Sequence, residues 1–259
     1  MPGPAKTLKF AIMATMLFGA PAGRAEIAEQ TPAKIEVVTE ELPPFNFTMN
    51  GKITGSSTDV VLAVLKEAGI EGHVRSIPWA RALSMARSRP NVLIYTISPT
   101  ADRLPHFKWI GPINSGNVVL FCLKSNPISI KSLDEAKRHK LGTIFNDFRL
   151  EFLLRSGFIE GDNVDSTNSH DLNYSKLKAG RIDLWPMDSS VMRYIVKRAG
   201  DDPDKMVMPV LEMTELEAQS GWFMAFGLET PDQLVERLRL SLARIKENGT
   251  FEAIMRKWK

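Results

Sequence analysis

The chain has 259 residues, 44% of them hydrophobic and 24% charged, which suits a globular protein of one large or two modest domains and excludes a disordered one. Its formal charge of +3 belongs to the N-terminal segment: residues 1–25 hold Lys6, Lys9 and Arg24 and no acid, so 33 basic side chains fall to 30 against 30 acidic ones. A neutral body without a basic block interleaved with aromatics has no electrostatic reason to bind nucleic acid, and a single cysteine, Cys122, excludes an intrachain disulfide or a cysteine metal cluster.

The basic start, the apolar segment from Phe10 to Ala20 and the small residues Ala20, Ala22 and Ala25 have the layout of a cleavable secretory signal. The apolar run is too short to span a bilayer. Residues 1–25 are therefore expected to be removed after Ala22 or Ala25. No cysteine follows for lipid attachment, so the mature protein is expected free in the periplasm. His73, His106, His139 and His170 form no pair at metal-ligand spacing, and neither metal nor cofactor is expected.

Ile35 to Thr39 reads as a first strand, followed by a loop whose Pro43 and Pro44 cannot continue a ladder, and Asn50-Gly51 reads as a turn. Ser56, three residues before Asp59, predicts a capped helix with Val60, Val61, Val64 and Leu65 on one face and Gly69 at its end. His73 to Ile77 is the next strand, and Pro78 opens a helix with Trp79, Ala82, Leu83 and Ala86 aligned. A buried strand, Val92 to Ile97, comes next, then strand-like Phe107 to Ile110 and Val118 to Leu123. Such alternation predicts an α/β lobe with a mostly parallel sheet covered on both faces.

Ser132-Leu133-Asp134-Glu135 is a capping box, and the alternation begins again. Strands are expected at Leu141–Phe145, Val164–Thr167 and Ile182–Trp185, and helices at Leu150–Arg155, from an Asp171 cap through Lys178, and from Ser189 to Ala199 after Asp188. Met206–Val210 and Gly221–Phe226 are the last strands, before helices over Pro231–Lys246 and from Thr250 to near Trp258.

The stretch Thr96 to Arg103 carries the chemistry. The strand ending at Ile97 delivers hydroxyls and then a guanidinium to a sheet edge. Arg103 can grip a carboxylate with two N–H bonds while Thr96 and Ser98 donate from the side, which reads as a carboxylate clamp.

Taken together, the order of elements and several short motifs resemble the bacterial extracellular solute-binding proteins of family 3, from about Ile35 to Trp258. The marks are Pro43-Pro44-Phe45, Gly55 with Asp59, Thr100 with Arg103, Leu141-Gly142, Ala179-Gly180-Arg181-Ile182-Asp183, Asp188 and Lys246-Glu247-Asn248-Gly249-Thr250-Phe251. The resemblance implies a type II periplasmic-binding-protein fold, two α/β lobes joined by two crossover strands near Asn114–Leu120 and Glu217–Phe223. Lobe one would comprise 33–114 and 220–259, and lobe two 115–219. By position, Arg103 would hold the α-carboxylate of an amino acid or related ligand, Ser98 would add a hydroxyl, Thr96 a carbonyl for the ammonium and Asp188 the matching negative charge. The implied role is that of a monomer that passes its small-molecule ligand to an ABC permease.

The chain departs from the family pattern at Leu42, where an aromatic is usual, at Gly55-Ser56-Ser57, at Arg89-Pro90-Asn91 and at Asn146-Asp147-Phe148 in place of Gly-Thr-Thr/Ser. Leu42 and Phe45 are expected on the cleft wall. Trp79 fits either the site or a helix core, Asp188 either a ligand contact or an N-cap, and Asp147 either an added cleft acid or a cap. Two other functions are compatible with the pattern. One is an enzyme resembling cyclohexadienyl dehydratases, with Glu40, Glu41 or Asp147 as its acid; the other is a receptor for a membrane sensor.

Overall fold

Residues 1–3, 34–217 and 221–258 are described in the computed structural model; apart from its first three residues, the expected leader lies outside them. The first half supplies β1 (Lys34–Thr39), β2 (Phe47–Met49), β3 (Lys52–Thr54), α1 (Ser56–Ala68), β4 (Glu71–Ser76), α2 (Trp79–Ser88), β5 (Val92–Ile97) and β6 (Phe107–Asn114). Then come β7 (Val119–Leu123), α3 (Leu133–Ala136), β8 (Leu141–Ile144), α4 (Phe148–Arg155), β9 (Val164–Thr167), α5 (His170–Lys178), β10 (Trp185–Met187) and α6 (Ser189–Arg198). The chain closes with α7 (Pro203–Met206), β11 (Val207–Glu212), α8 (Thr214–Glu217), β12 (Trp222–Gly227), α9 (Asp232–Glu247) and α10 (Thr250–Lys257).

The fold is the two-lobed α/β type expected of a periplasmic binding protein. One lobe is built on a five-stranded sheet in the order β4-β1-β5-β12-β6, so strand β12 returns to it after the excursion through the other lobe. The sheet alternates its side chains with period two. Val37, Leu93 and Tyr95 face α1 and α9, whereas Val38, Val92 and Ile94 face α2. The expected mostly parallel sheet is only half right: β4, β1 and β5 are parallel, but β12 runs antiparallel to both β5 and β6. The crossovers explain this, because β12 enters the sheet from the lobe boundary where β6 left it.

In the second lobe β7 is central and pairs antiparallel with β10 and β11, while β8 and β9 pair in parallel and Leu141 bridges to Leu184. The predicted strand at Ile182–Trp185 forms three residues later, as Trp185–Met187. Two caps also differ. Gly55, at φ 124, precedes α1, while Ser56 lies inside the helix and its Oγ accepts from Asn114. Ser169, not Asp171, caps α5 by accepting from the N–H of Leu172.

Candidate binding cleft

Strand β5 does not end regularly. Between Tyr95 and Ile97 its register against β12 shifts, and the residue bulged out is Thr96, at φ 60. A left-handed conformation is strained for a β-branched residue. The bulge moves the alternation by one, so Ile97 lies with Val92 and Ile94 on the α2 side. The Thr96 hydroxyl is buried and has no hydrogen-bond partner.

Beyond the bulge, Arg103 is 4% exposed. Its Nε and one Nη donate to a single Glu151 oxygen at 3.0 and 2.7 Å, and the same Nη donates to the Asn146 carbonyl at 2.8 Å. The other Nη donates to the Ser98 carbonyl at 3.5 Å. The second Glu151 oxygen accepts from the Thr100 hydroxyl at 3.0 Å. Arg103 thus grips a carboxylate, that of Glu151 on α4 of the second lobe. The hydroxyl beside it is Thr100's and not, as expected, those of Thr96 and Ser98: the Thr96 hydroxyl is unpaired, and Ser98 offers Arg103 only its backbone carbonyl. Asn146, left-handed at φ 58, turns its carbonyl toward the first lobe, where Trp79 Nε1 also donates to it at 2.7 Å. Asn is among the few residues for which that conformation is cheap. Arg155 on α4 adds a further ion pair, to Asp102 at 2.6 Å.

Asp147 caps α4, accepting from the Arg149 N–H, and its two oxygens also receive Arg149 Nε and Nη at 2.6 and 2.8 Å. Both side chains are almost wholly buried. Burial alone would raise the Asp147 carboxyl, but the Arg149 guanidinium outweighs it and holds the group below the usual carboxylate range. Beside this pair, on the other lobe, stands Glu40, 8% exposed. Among the described residues no donor reaches its carboxylate within hydrogen-bond distance; His170 Nε2 is 3.7 Å away. Burial and the neighbouring Asp147 charge push Glu40 up to about 8, and burial beside Arg149 brings His170 down to about 3.

Donor atoms of Glu40, Asp147 and His170 lie within 4.8 Å of one another, close enough for a metal ion to bridge. Arg149 already holds both Asp147 oxygens and stands 3.3 Å from His170 Nε2, so the cation of this cluster is the arginine. A metal would have to displace it.

Asp188 caps α6 through one oxygen, accepting from Ser190 and Val191 N–H, and its other oxygen accepts from Asn117 N–H in the crossover. Burial raises its carboxyl against these three backbone donors. Leu42 and Phe45 come from the first-lobe loop but pack against Val119 and Trp185 of the second lobe and Trp222 at the start of β12, with Phe45 edge-on to Trp222 at 4.4 Å. Arg103, Ser98, Trp79 and Asp147 therefore gather around α4; the Thr96 hydroxyl joins none of these contacts, and Asp188 ties the crossover. Glu151, Arg149 and His170 escaped sequence reasoning as site residues. Glu40 was visible only as one of three candidate acids.

A model of bacterial extracellular solute-binding proteins, family 3, matches residues 35–259. The L-cystine-binding protein TcyJ of Escherichia coli (strain K12) is 24% identical over 218 residues, 83% of this chain and 78% of that protein. The arginine-binding extracellular protein ArtP of Bacillus subtilis (strain 168) is 23% identical over 220 residues, 83% of this chain and 81% of its own length. Among solved structures, an ancestral arginine-binding protein bound to glutamine superposes with a TM-score of 0.75 at 23% identity, covering 88% of this chain and 98% of that one. Among the described residues no helix is long and apolar enough to cross a membrane.

Proposed function

Because the chain belongs to the bacterial extracellular solute-binding proteins of family 3, we propose that it captures a small amino-bearing solute, an amino acid or a close relative, between its lobes and passes it to an ABC permease. It would act as a periplasmic monomer once residues 1–25 are removed, with lobes at 33–114 plus 220–259 and at 115–219. The observation that carries this reading is Glu40. The Glu40 carboxyl, buried between the lobes and out of reach of any donor among the described residues, is costly to ionise, and the ammonium or guanidinium of a solute would supply the donor and charge that let it do so. Thr96, with its strained backbone and unpaired hydroxyl, supports the same place, since strain of this kind collects at ligand sites. A solute touching both lobes would favour the closed arrangement.

The names of TcyJ and ArtP, which refer to amino acids, support the ligand class. Glu40 also favours a second reading, because a carboxyl that keeps its proton near neutrality could act as a general acid in a dehydratase. Titration of tryptophan fluorescence separates the two. Trp79 lies at the lobe contact, so a saturable change on adding an amino acid or amine, with the solute recovered intact, is expected. Turnover of prephenate without such binding would replace this reading by the enzymatic one.

A further inference from the structure

The seat for a ligand carboxylate is filled from within the chain. Glu151 makes the contacts that such a carboxylate would make: two N–H donors of Arg103 on one oxygen and the Thr100 hydroxyl on the other. A tethered group acts at an effective concentration of order mM, whereas a captured solute acts at its free concentration. A solute carboxylate therefore has to evict Glu151 before it reaches Arg103.

Between the lobes an acid also lacks a donor. Glu40 is 8% exposed with no donor in reach, and it opens onto a cavity of about 290 Å³ drawn from both lobes. Glu41, Ser76 and Trp79 line that cavity from the first lobe, and Asn168 and Ser169 from the second; among the described residues no lysine or arginine lines it. Glu41 accepts from the Thr48 N–H and hydroxyl. Two acidic side chains, hydroxyls and an indole suit an organic cation, which would let Glu40 give up its proton on binding, whereas a carboxylate on the same solute would oppose that ionisation while its natural partner is occupied.

We propose that Glu151 sets the specificity of the cleft by occupying Arg103, so that an organic cation without a carboxylate is selected over the amino acid that carries one. This rests on the solute-binding reading above and narrows its ligand class. It also assigns α4 a residue with two jobs, joining the lobes and excluding one half of the zwitterion.

Calorimetric titration tests it with probes that differ only in the carboxylate: arginine against agmatine, ornithine against putrescine, and histidine against histamine. The full mature chain is first unfolded and refolded to remove carried-over solute. In at least one pair the amine binds at least tenfold tighter than its amino acid, and Glu151→Gln closes the gap at least tenfold by strengthening the amino acid. If the wild-type chain binds an amino acid as tightly as its amine, the inference is overturned and solute binding stands. If the folded wild-type chain binds none of the six, both fall. The wild-type ratios decide the matter even if Glu151→Gln does not fold.

Discussion

Glu40 meets charge from several directions, Asp147 and Arg149 on the facing lobe and Arg103 and Glu41 on its own, and the uncharged His170 ring stands 3.7 Å away. Its carboxyl, ordinarily at 4.5, is pushed up to about 8, so the folded chain keeps a proton that the unfolded chain gives up. Stability is thus lost as pH rises from 4.5 to 8. For His170, ordinarily at 6.5 and here brought down to about 3, the folded chain holds the neutral ring, and stability is lost as pH falls from 6.5 to 3. Asp147, held low by Arg149, adds to that acid loss. The two slopes oppose one another between 4.5 and 6.5, where the melting temperature of the solute-free chain should form a plateau and decline on both sides. Glu40→Gln should remove the decline above 6.5 and leave the acid side in place. An unchanged alkaline decline in that variant, followed by calorimetry across pH, would mean that Glu40 is not the group responsible.

At the scale of elements, α4 and the end of β5 make the candidate site. Helix α4 presents Asp147 as cap, Arg149 as its counter-ion, Glu151 to the clamp and Arg155 to Asp102, four polar residues in little more than two turns. Opposite, the Thr96 bulge stores strain of about 1–3 kcal/mol, the usual cost of a sparsely populated backbone region. Glycine adopts φ 60 without that penalty, so Thr96→Gly should stabilise the chain by about 1 kcal/mol in urea unfolding while weakening solute binding through the lost hydroxyl. Destabilisation together with unchanged binding would show that Thr96 serves the sheet and not the cleft. Much of this scale was legible in the sequence. Ser132 and Asp188 cap where their spacing indicates, and β9 forms over the expected residues. The Ser56 cap failed because a side chain suited to capping bonds instead to Asn114, 58 residues away. The bulge left no mark in the sequence, since it arises from the register of β12 against β5 and not from any local preference of threonine.

For the whole molecule, the order of strands and helices carried the fold class, and the run from Thr96 to Arg103 pointed to Arg103 as a carboxylate partner without showing that Thr100 would supply the hydroxyl. What the clamp holds was not legible. Glu151 lies 48 residues beyond Arg103, on a helix whose sequence shows only a solvent-compatible acid, and nothing local says that the helix faces the other lobe. The same holds for His170 against Glu40, brought together only by the meeting of the lobes. Both omissions concern polar side chains that meet across the cleft, which is also where a solute bridging the lobes would act. The most direct measurement is a thermal-shift screen of the mature, solute-stripped chain against amino acids and their decarboxylated amines. A solute present at about a hundred times its dissociation constant adds about 2.7 kcal/mol of stability, and several degrees of melting temperature for a chain of this size. A shift of that size with at least one amino-bearing solute is predicted, reduced in Glu40→Gln; a folded chain that shifts with none of them would contradict capture of such a solute between the lobes.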